Sequence, residues 1–418
     1  MRVLWITNLP LAEAQEHIFH TIQAKEGWLV QLSQRLSRMT DIELVVASRT
    51  NGLQQEIDFE INQIHHYCFP NNYTGNRYMM ELYWKRLYDT VKPDIVHIHG
   101  TECAHSAYFV KACPQAKTVV SIQGMVSVIS RYYFGGIPQK DLERHTTLYN
   151  RYRGNTIRNG YKRMMEMGER EKFILSHVRY AIGRTEWDRT HVLIINPDIH
   201  YFVGNETMRP LFYEYTWDSK KCIPHTIFVT QGCAPYKGFH KMLEALAIVK
   251  KSFPDVKLRV ALLPIIKKPS SWKAKLLEGE YGHYLRDKIQ ELDLENNIEV
   301  LGTLSEQGMV ETMLASNVFV SPSAIENSPN SLCEAQLLGM PAIASYVGGT
   351  PTIADNGRAT EMYRYEEFEM LAQKIISVFA TGADIEQLKY AKNLAFKRYC
   401  GEKNAREMVE IYYSIKSL

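Results

Sequence analysis

At 418 residues the chain is longer than one ordinary hydrophobic core, and its length suggests two domains. A hydrophobic share of 45% and a charged share of 23% are those of a globular chain and exclude a disordered or fibrous one. The formal net charge of +3 is too small to point to nucleic acid, so no such partner is expected.

The seven cysteines are scattered, odd in number and form no C-x-x-C pair. That pattern suits reduced thiols in a cytoplasmic setting and not a disulfide framework. The opening run 1–7 is strand-like and stops at Asn8 and Pro10, too short for the apolar region of a signal peptide. No other apolar run reaches membrane-spanning length, so any membrane contact is expected to be peripheral, at the inner face of the cell membrane.

In chain order, strand-like runs fall at 3–7, 42–47, 94–99 and 118–123, with helical patterns between them. The clearest helix is 27–39, where Trp28, Leu29, Leu32, Leu36 and Met39 repeat at helical spacing. Another covers 78–91 and stops before Pro93. Residues 131–176 then break the rhythm with a helical insertion, in which 131–172 carries ten Lys/Arg against five Asp/Glu among several tyrosines. A solvated helical face is the plainer explanation; a surface for anionic lipid or a phosphorylated acceptor is the other.

A strand resumes at 179–183, and the aromatic, Pro-containing stretch 201–221 suits an interdomain connection. A second strand–helix series has strands at 225–230, 257–263, 298–301, 318–321 and 342–345. Its helices are expected at 238–252, 281–292, 305–315 and 331–338, and a last helix at 402–415. Alternation of this kind gives parallel sheets covered by helices, with ligands beyond the carboxyl ends of the strands. The expectation is an α/β protein of two doubly wound, Rossmann-like domains facing each other across a cleft. Residues 1–200 would form the first domain, including the insertion, and 222–395 the second. A C-terminal helix within 396–418 would pack back on the first.

The most informative stretch is 321–341, SPSAIENSPNSLCEAQLLGMP. Glu326 and Glu334 lie eight positions apart on either side of a polar turn. Ser331 followed by Glu334 reads as a capping box, and Gly339 then Pro341 end the helix. Backbone N–H groups at such a helix start attract anions. Lys237, in a turn-rich loop after the strand at 225–230, could neutralise a leaving diphosphate. Either carboxylate could instead be a cap or a solvated loop residue, and Lys237 a surface lysine. In the first series His97 and His99 share a strand face, and His99, at the strand's carboxyl end, is the better functional candidate. Cys103 and His105 follow, but no standard zinc spacing fits, and no metal is expected. Gly27 opens the first amphipathic helix, where a phosphate could approach backbone. Gln123 ends the fourth strand.

The Glu326/Glu334 spacing resembles the E-x7-E motif of retaining glycosyltransferases with the GT-B fold, called group 1 or family four. Val318–Ser323, Leu338–Pro341, Gly348-Gly349 and Tyr236–Gly238 are similar to that family's donor domain; Pro93–Gly100 and Gly27-Trp28 match looser positions. The resemblance implies that Glu326 contacts hydroxyls of the donor sugar and Glu334 the ribose. Backbone amides around Asn330 and Ser331 would support sugar and diphosphate, Lys237 would stabilise the diphosphate, and Gly27 would approach the phosphates. It also implies a metal-independent enzyme without a cofactor, which takes a nucleotide diphosphate sugar and keeps the anomeric configuration. The acceptor would be a growing, lipid-linked or free, cell-surface glycan. Two positions depart from the pattern. Gln123 stands where many members carry His, and Gly232 where many carry Arg, with Arg184 as a candidate substitute. A catalytically weak or inactive binding subunit is the competing expectation.

Overall fold

Two doubly wound units, each assembled from separate stretches of sequence, make up the chain. The computed structural model describes residues 1–21, 27–263, 265 and 278–418. The first unit comprises Met1–Ser127, Met165–Arg209 and Arg398–Leu418; the second comprises Val128–Met164 and Pro210–Lys397.

In the first unit the strands are β1 (Arg2–Thr7), β2 (Glu43–Thr50), β3 (Ile57–Ile61), β4 (Ile64–Pro70), β5 (Ile95–His99), β6 (Thr118–Ser121), β7 (Tyr180–Gly183) and β8 (His200–Val203). They form one sheet in the order β3-β4-β2-β1-β5-β6-β7-β8. Every pair is parallel except β3–β4. Helices cover both faces, so β5 and β6 are buried at every residue, their polar His97, His99, Thr118 and Ser121 included. The β3–β4 hairpin escapes sequence reading because its turn is Asn62-Gln63. Both residues adopt positive φ, 52° and 64°, without the glycine that usually marks such a turn.

The last helix, Gly401–Ser417, packs on this unit as expected. Met408, Ile411, Tyr412 and Ile415 join the core formed with Leu29, Leu32 and Leu36 of helix Gly27–Leu36. A buried polar chain fixes its register. The Trp5 indole donates to the Tyr412 hydroxyl at 2.9 Å, and that hydroxyl meets His97 Nδ1 at 2.6 Å. The His97 Nε2 then meets Ser121 Oγ at 2.7 Å.

In the second unit β9 (Thr226–Gln231), β10 (Lys257–Leu262), β11 (Ile298–Val300), β12 (Val318–Ser321), β13 (Ala342–Ser345) and β14 (Glu361–Tyr363) form a parallel sheet. Its order is β11-β10-β9-β12-β13-β14. The winding reverses between β9 and β12, so the loops that follow these two strands flank the point where doubly wound sheets bind ligands.

Three sequence-based boundaries change. Residues 128–164, assigned to the first domain, fold with the second unit. Ile137 and Leu142 enter its core, and the Gly135 carbonyl accepts from the Tyr365 hydroxyl at 2.7 Å and from His240 Nε2 at 3.0 Å. These partners lie about a hundred or more positions away along the chain, so no local pattern announces them. The stretch 201–221 is not one linker: β8 pairs with β7, residues through Arg209 belong to the first unit, and Pro210 opens the second. The return to the first unit comes at Arg398.

Candidate active site

β9 and β12 are hydrogen-bonded neighbours, which brings together the turns that follow them. Lys237 closes the short helical turn Pro235–Lys237 after β9, and Glu326 lies in the turn after β12. Their side chains meet: Lys237 Nζ is 2.7 Å from Glu326 Oε1, and both are largely buried, 17% and 16% exposed. Ser323 Oγ donates to the same carboxylate oxygen at 2.7 Å. Burial by itself would lower the Lys237 pKa, but the adjacent Glu326 carboxylate outweighs it, and the net shift is upward. Lys237 therefore stays an ammonium in a half-dry site.

Backbone contacts hold the pair. Ala324 N–H donates to the Tyr236 carbonyl at 2.8 Å. Gly238 has φ +68°, and a Cβ there would meet the Pro322 carbonyl oxygen at 1.8 Å, so the two turns touch where only glycine fits. On the other side Gly349 N–H donates to the Glu326 carbonyl at 3.0 Å. A Cβ on Gly348, at φ +51°, would strike that same carbonyl oxygen at 2.0 Å. Ser345 Oγ, at the end of β13, donates to the Ser323 carbonyl at 2.5 Å.

The helix that follows runs Asn330–Leu338 and ends at Gly339 in the left-handed conformation, φ 69°, as expected. Its start differs from the expected capping box. Pro329 is the N-cap, makes no side-chain cap bond, and its carbonyl accepts from Leu332 N–H at 2.9 Å. Proline can hold this position because its fixed φ suits a helix entry and an N-cap needs no N–H donor. Asn330 and Ser331 thus occupy the first turn. Glu334 sits in the second turn, 5% exposed.

The first-unit candidates fare differently. His99 is 1% exposed, with its ring 4.5 Å from Trp5 and 5.5 Å from Trp28, centroid to centroid. Neither ring nitrogen has a hydrogen-bond partner among the described residues, and burial pushes its pKa well down. It is a buried core residue, as side chains of alternate strand residues that face a covered sheet surface are. Arg184 is held by Glu206: its Nη1 lies 2.6 Å from Glu206 Oε2, with both side chains under a tenth exposed. Gly27 does open its helix, but the Arg209 Cγ lies 3.2 Å from where its Cβ would be. Gln123 is half-buried two residues past β6. Gly232 has a packing reason. A Cβ there would come within 2.6 Å of Phe239 and 2.8 Å of Leu263, so no arginine fits at that position.

Sequence reasoning missed Ser323 and the segment around Gly135. Ser323 lies three residues before Glu326, a spacing common in polar turns; nothing local marks Gly135, which would clash with the Pro235 carbonyl oxygen at 2.2 Å if it carried a Cβ. Among the described residues no group of three or more His, Cys, Asp or Glu could hold a metal ion.

Residues 224–397 match the family model described as Glycosyl transferases group 1. A D-inositol 3-phosphate glycosyltransferase of Corynebacterium urealyticum is 25% identical over 183 residues, 44% of this chain and 41% of that enzyme. The chain thus aligns with less than half the length of this curated relative. Among solved structures, sucrose-phosphate synthase from Thermosynechococcus elongatus matches with a TM-score of 0.71 at 13% identity, covering 100% of this chain and 99% of that one. The HepE protein of Anabaena, in complex with UDP and glucose, matches with a TM-score of 0.66 at 14% identity, covering 99% and 100%. These likenesses show the fold, two parallel-sheet, Rossmann-like units of the GT-B kind.

Proposed function

We propose that this chain, a group 1 glycosyltransferase of the GT-B fold, moves a hexose from a nucleoside diphosphate sugar to a hydroxyl of a growing cell-surface glycan. The reaction is read as retaining and metal-independent, and the acceptor as lipid-linked or free at the inner face of the cell membrane. The observation that carries this reading is the buried Lys237–Glu326 pair between the loops after β9 and β12. HepE, which shares the fold, has been solved with UDP and glucose, which supports a nucleotide sugar as donor.

In this reading the C1–O bond to the diphosphate breaks and a bond from C1 to the acceptor oxygen forms on the same face. The acceptor proton passes to the departing β-phosphate oxygen. Lys237 stabilises the charge that grows on that phosphate, and a cation held in a water-poor site does so without reorganisation. Glu326 keeps the lysine charged, and its second oxygen is assigned to the sugar hydroxyls. The first-turn amides at Asn330 and Ser331 add a partial positive charge for the donor. Glu334 is assigned to the ribose.

Glu326→Ala is expected to cut UDP release from the donor sugar at least about 100-fold, the usual scale for losing one such electrostatic partner. Circular dichroism should show an intact fold, and full activity in this variant would sink the assignment. A second reading, a slow or inactive binding subunit, is favoured by Gly232, whose packing leaves no room for another cation in that loop. Transfer at an ordinary enzymatic turnover rules it out.

A further inference from the structure

The segment 128–164 has no task in the donor reading, yet it is firmly held. Thr146 Oγ1 donates to Glu280 Oε1 at 2.6 Å, and the Ile157 amide donates to the other oxygen of that carboxylate. His145 Nε2 lies 3.1 Å from Asp287 Oδ2. Between these anchors sits a short helix, Leu148–Tyr152, whose Thr147 cap accepts from the Asn150 amide at 3.1 Å. Asn150 is 4% exposed and its side chain donates to the Glu278 carbonyl at 3.4 Å, so this face of the helix is turned inward.

The opposite face is apolar and bare. Leu148 is 82% exposed and Tyr152, one helical turn on, is 88% exposed. Tyr149 beside them is partly exposed. Around them stand Arg144, Arg151, Arg153 and Arg158, all exposed. Over 139–163 the sequence has seven Lys/Arg against two Asp/Glu, and both acids are occupied. Asp141 pairs with Arg144 at 3.2 Å, and Glu143 accepts from Gln139 at 2.7 Å. Arg151 and Arg158 also line one cavity of about 360 Å³, together with Glu143, Glu280, Thr146, Thr156 and Asn159.

We propose that this helix and its arginines form a docking surface for an anionic bilayer, with Leu148 and Tyr152 as the inserted wedge. Basic charge alone would suit any polyanion, and a sugar phosphate gains nothing from a bare leucine. An aliphatic wedge with tyrosines at its edge and arginines around it matches the layers of a bilayer surface: acyl chain, interface and anionic headgroup. Docking is peripheral, since among the described residues no helix is long and apolar enough to cross a membrane. The surface shares no residue with the Lys237–Glu326 site, so the two readings stand or fall separately.

Flotation of the full-length protein with vesicles tests this. Phosphatidylcholine vesicles containing about 30 mol% phosphatidylglycerol should carry the protein upward, pure phosphatidylcholine should not, and added salt should weaken the effect. Arg151→Gln with Arg153→Gln should weaken binding roughly fivefold for each charge removed. Leu148→Ser with Tyr152→Ser should abolish flotation while the melting temperature, and its rise with UDP-glucose, stay as in the parent protein. No flotation with either vesicle, equal flotation with both, or flotation untouched by the wedge substitutions would each overturn the proposal.

Discussion

Lys237 and Glu326 carry opposite charges in a place with little water, and such a pair holds its geometry only if the surrounding backbone holds both turns. Gly238 is the tightest constraint, because the Pro322 carbonyl occupies the space of a side chain. Gly238→Ala must push the two turns apart and adopt a left-handed φ at a cost of roughly 1–3 kcal/mol. The expected outcome is a lower urea midpoint and a fall in turnover larger than the stability loss explains. An alanine variant with parent turnover would mean the turns tolerate separation. The residue types at this site were legible from the E-x7-E spacing, but the contact was not. Nothing in the sequence says that Ser323 and Lys237 share one oxygen of Glu326, since that requires β9 and β12 to be neighbours.

At the scale of elements, the last helix shows how a distant segment completes a core. Its apolar stripe was readable from periodicity, whereas its polar partner was not. The hydroxyl of Tyr412 accepts from Trp5 and shares a hydrogen bond with His97 Nδ1, whose Nε2 shares another with the Ser121 hydroxyl. Tyr412→Phe removes the link and leaves a buried indole N–H and a buried imidazole nitrogen unpaired. The expected loss is about 1–3 kcal/mol in denaturant unfolding of the first unit. An unchanged midpoint would show that water or a rearrangement replaces the hydroxyl. Helix Asn330–Leu338 shows the converse: its end at Gly339 followed the rule for left-handed glycine caps, while its N-cap is Pro329, two residues before the expected Ser331.

For the whole molecule, buried imidazoles set the response to acid. Desolvation lowers His97 to about 3, His105 to about 3, His66 to about 4 and His240 to about 4. Each is depressed below the ordinary value near 6.5, so the folded state binds fewer protons than the unfolded one between those limits. Their contribution is fully present above about 6.5 and is lost as pH falls, by up to about 1.4 kcal/mol per pH unit and group. The melting temperature should therefore drop steadily from pH 7 to pH 5. His66, fully buried and without a hydrogen-bond partner among the described residues, stacks 5.4 Å from Phe59. His66→Phe should flatten the slope; an unaltered slope would place the acid sensitivity elsewhere.

Taken by itself, the sequence determined the class of fold, ten of the fourteen described strands, the Glu326/Glu334 spacing and the return of the last helix. Those features are written in short-range apolar periodicity and in glycine and proline signals. Only the tertiary structure decided that 128–164 belongs with the second unit, that His99 is core and that Arg184 is already paired with Glu206. It also decided that Gly232 has no space for a side chain. Each of those outcomes depends on which strands lie side by side and on what fills the volume between distant segments. A local pattern shows that a residue is apolar or charged, but not which partner will exclude its water or neutralise its charge.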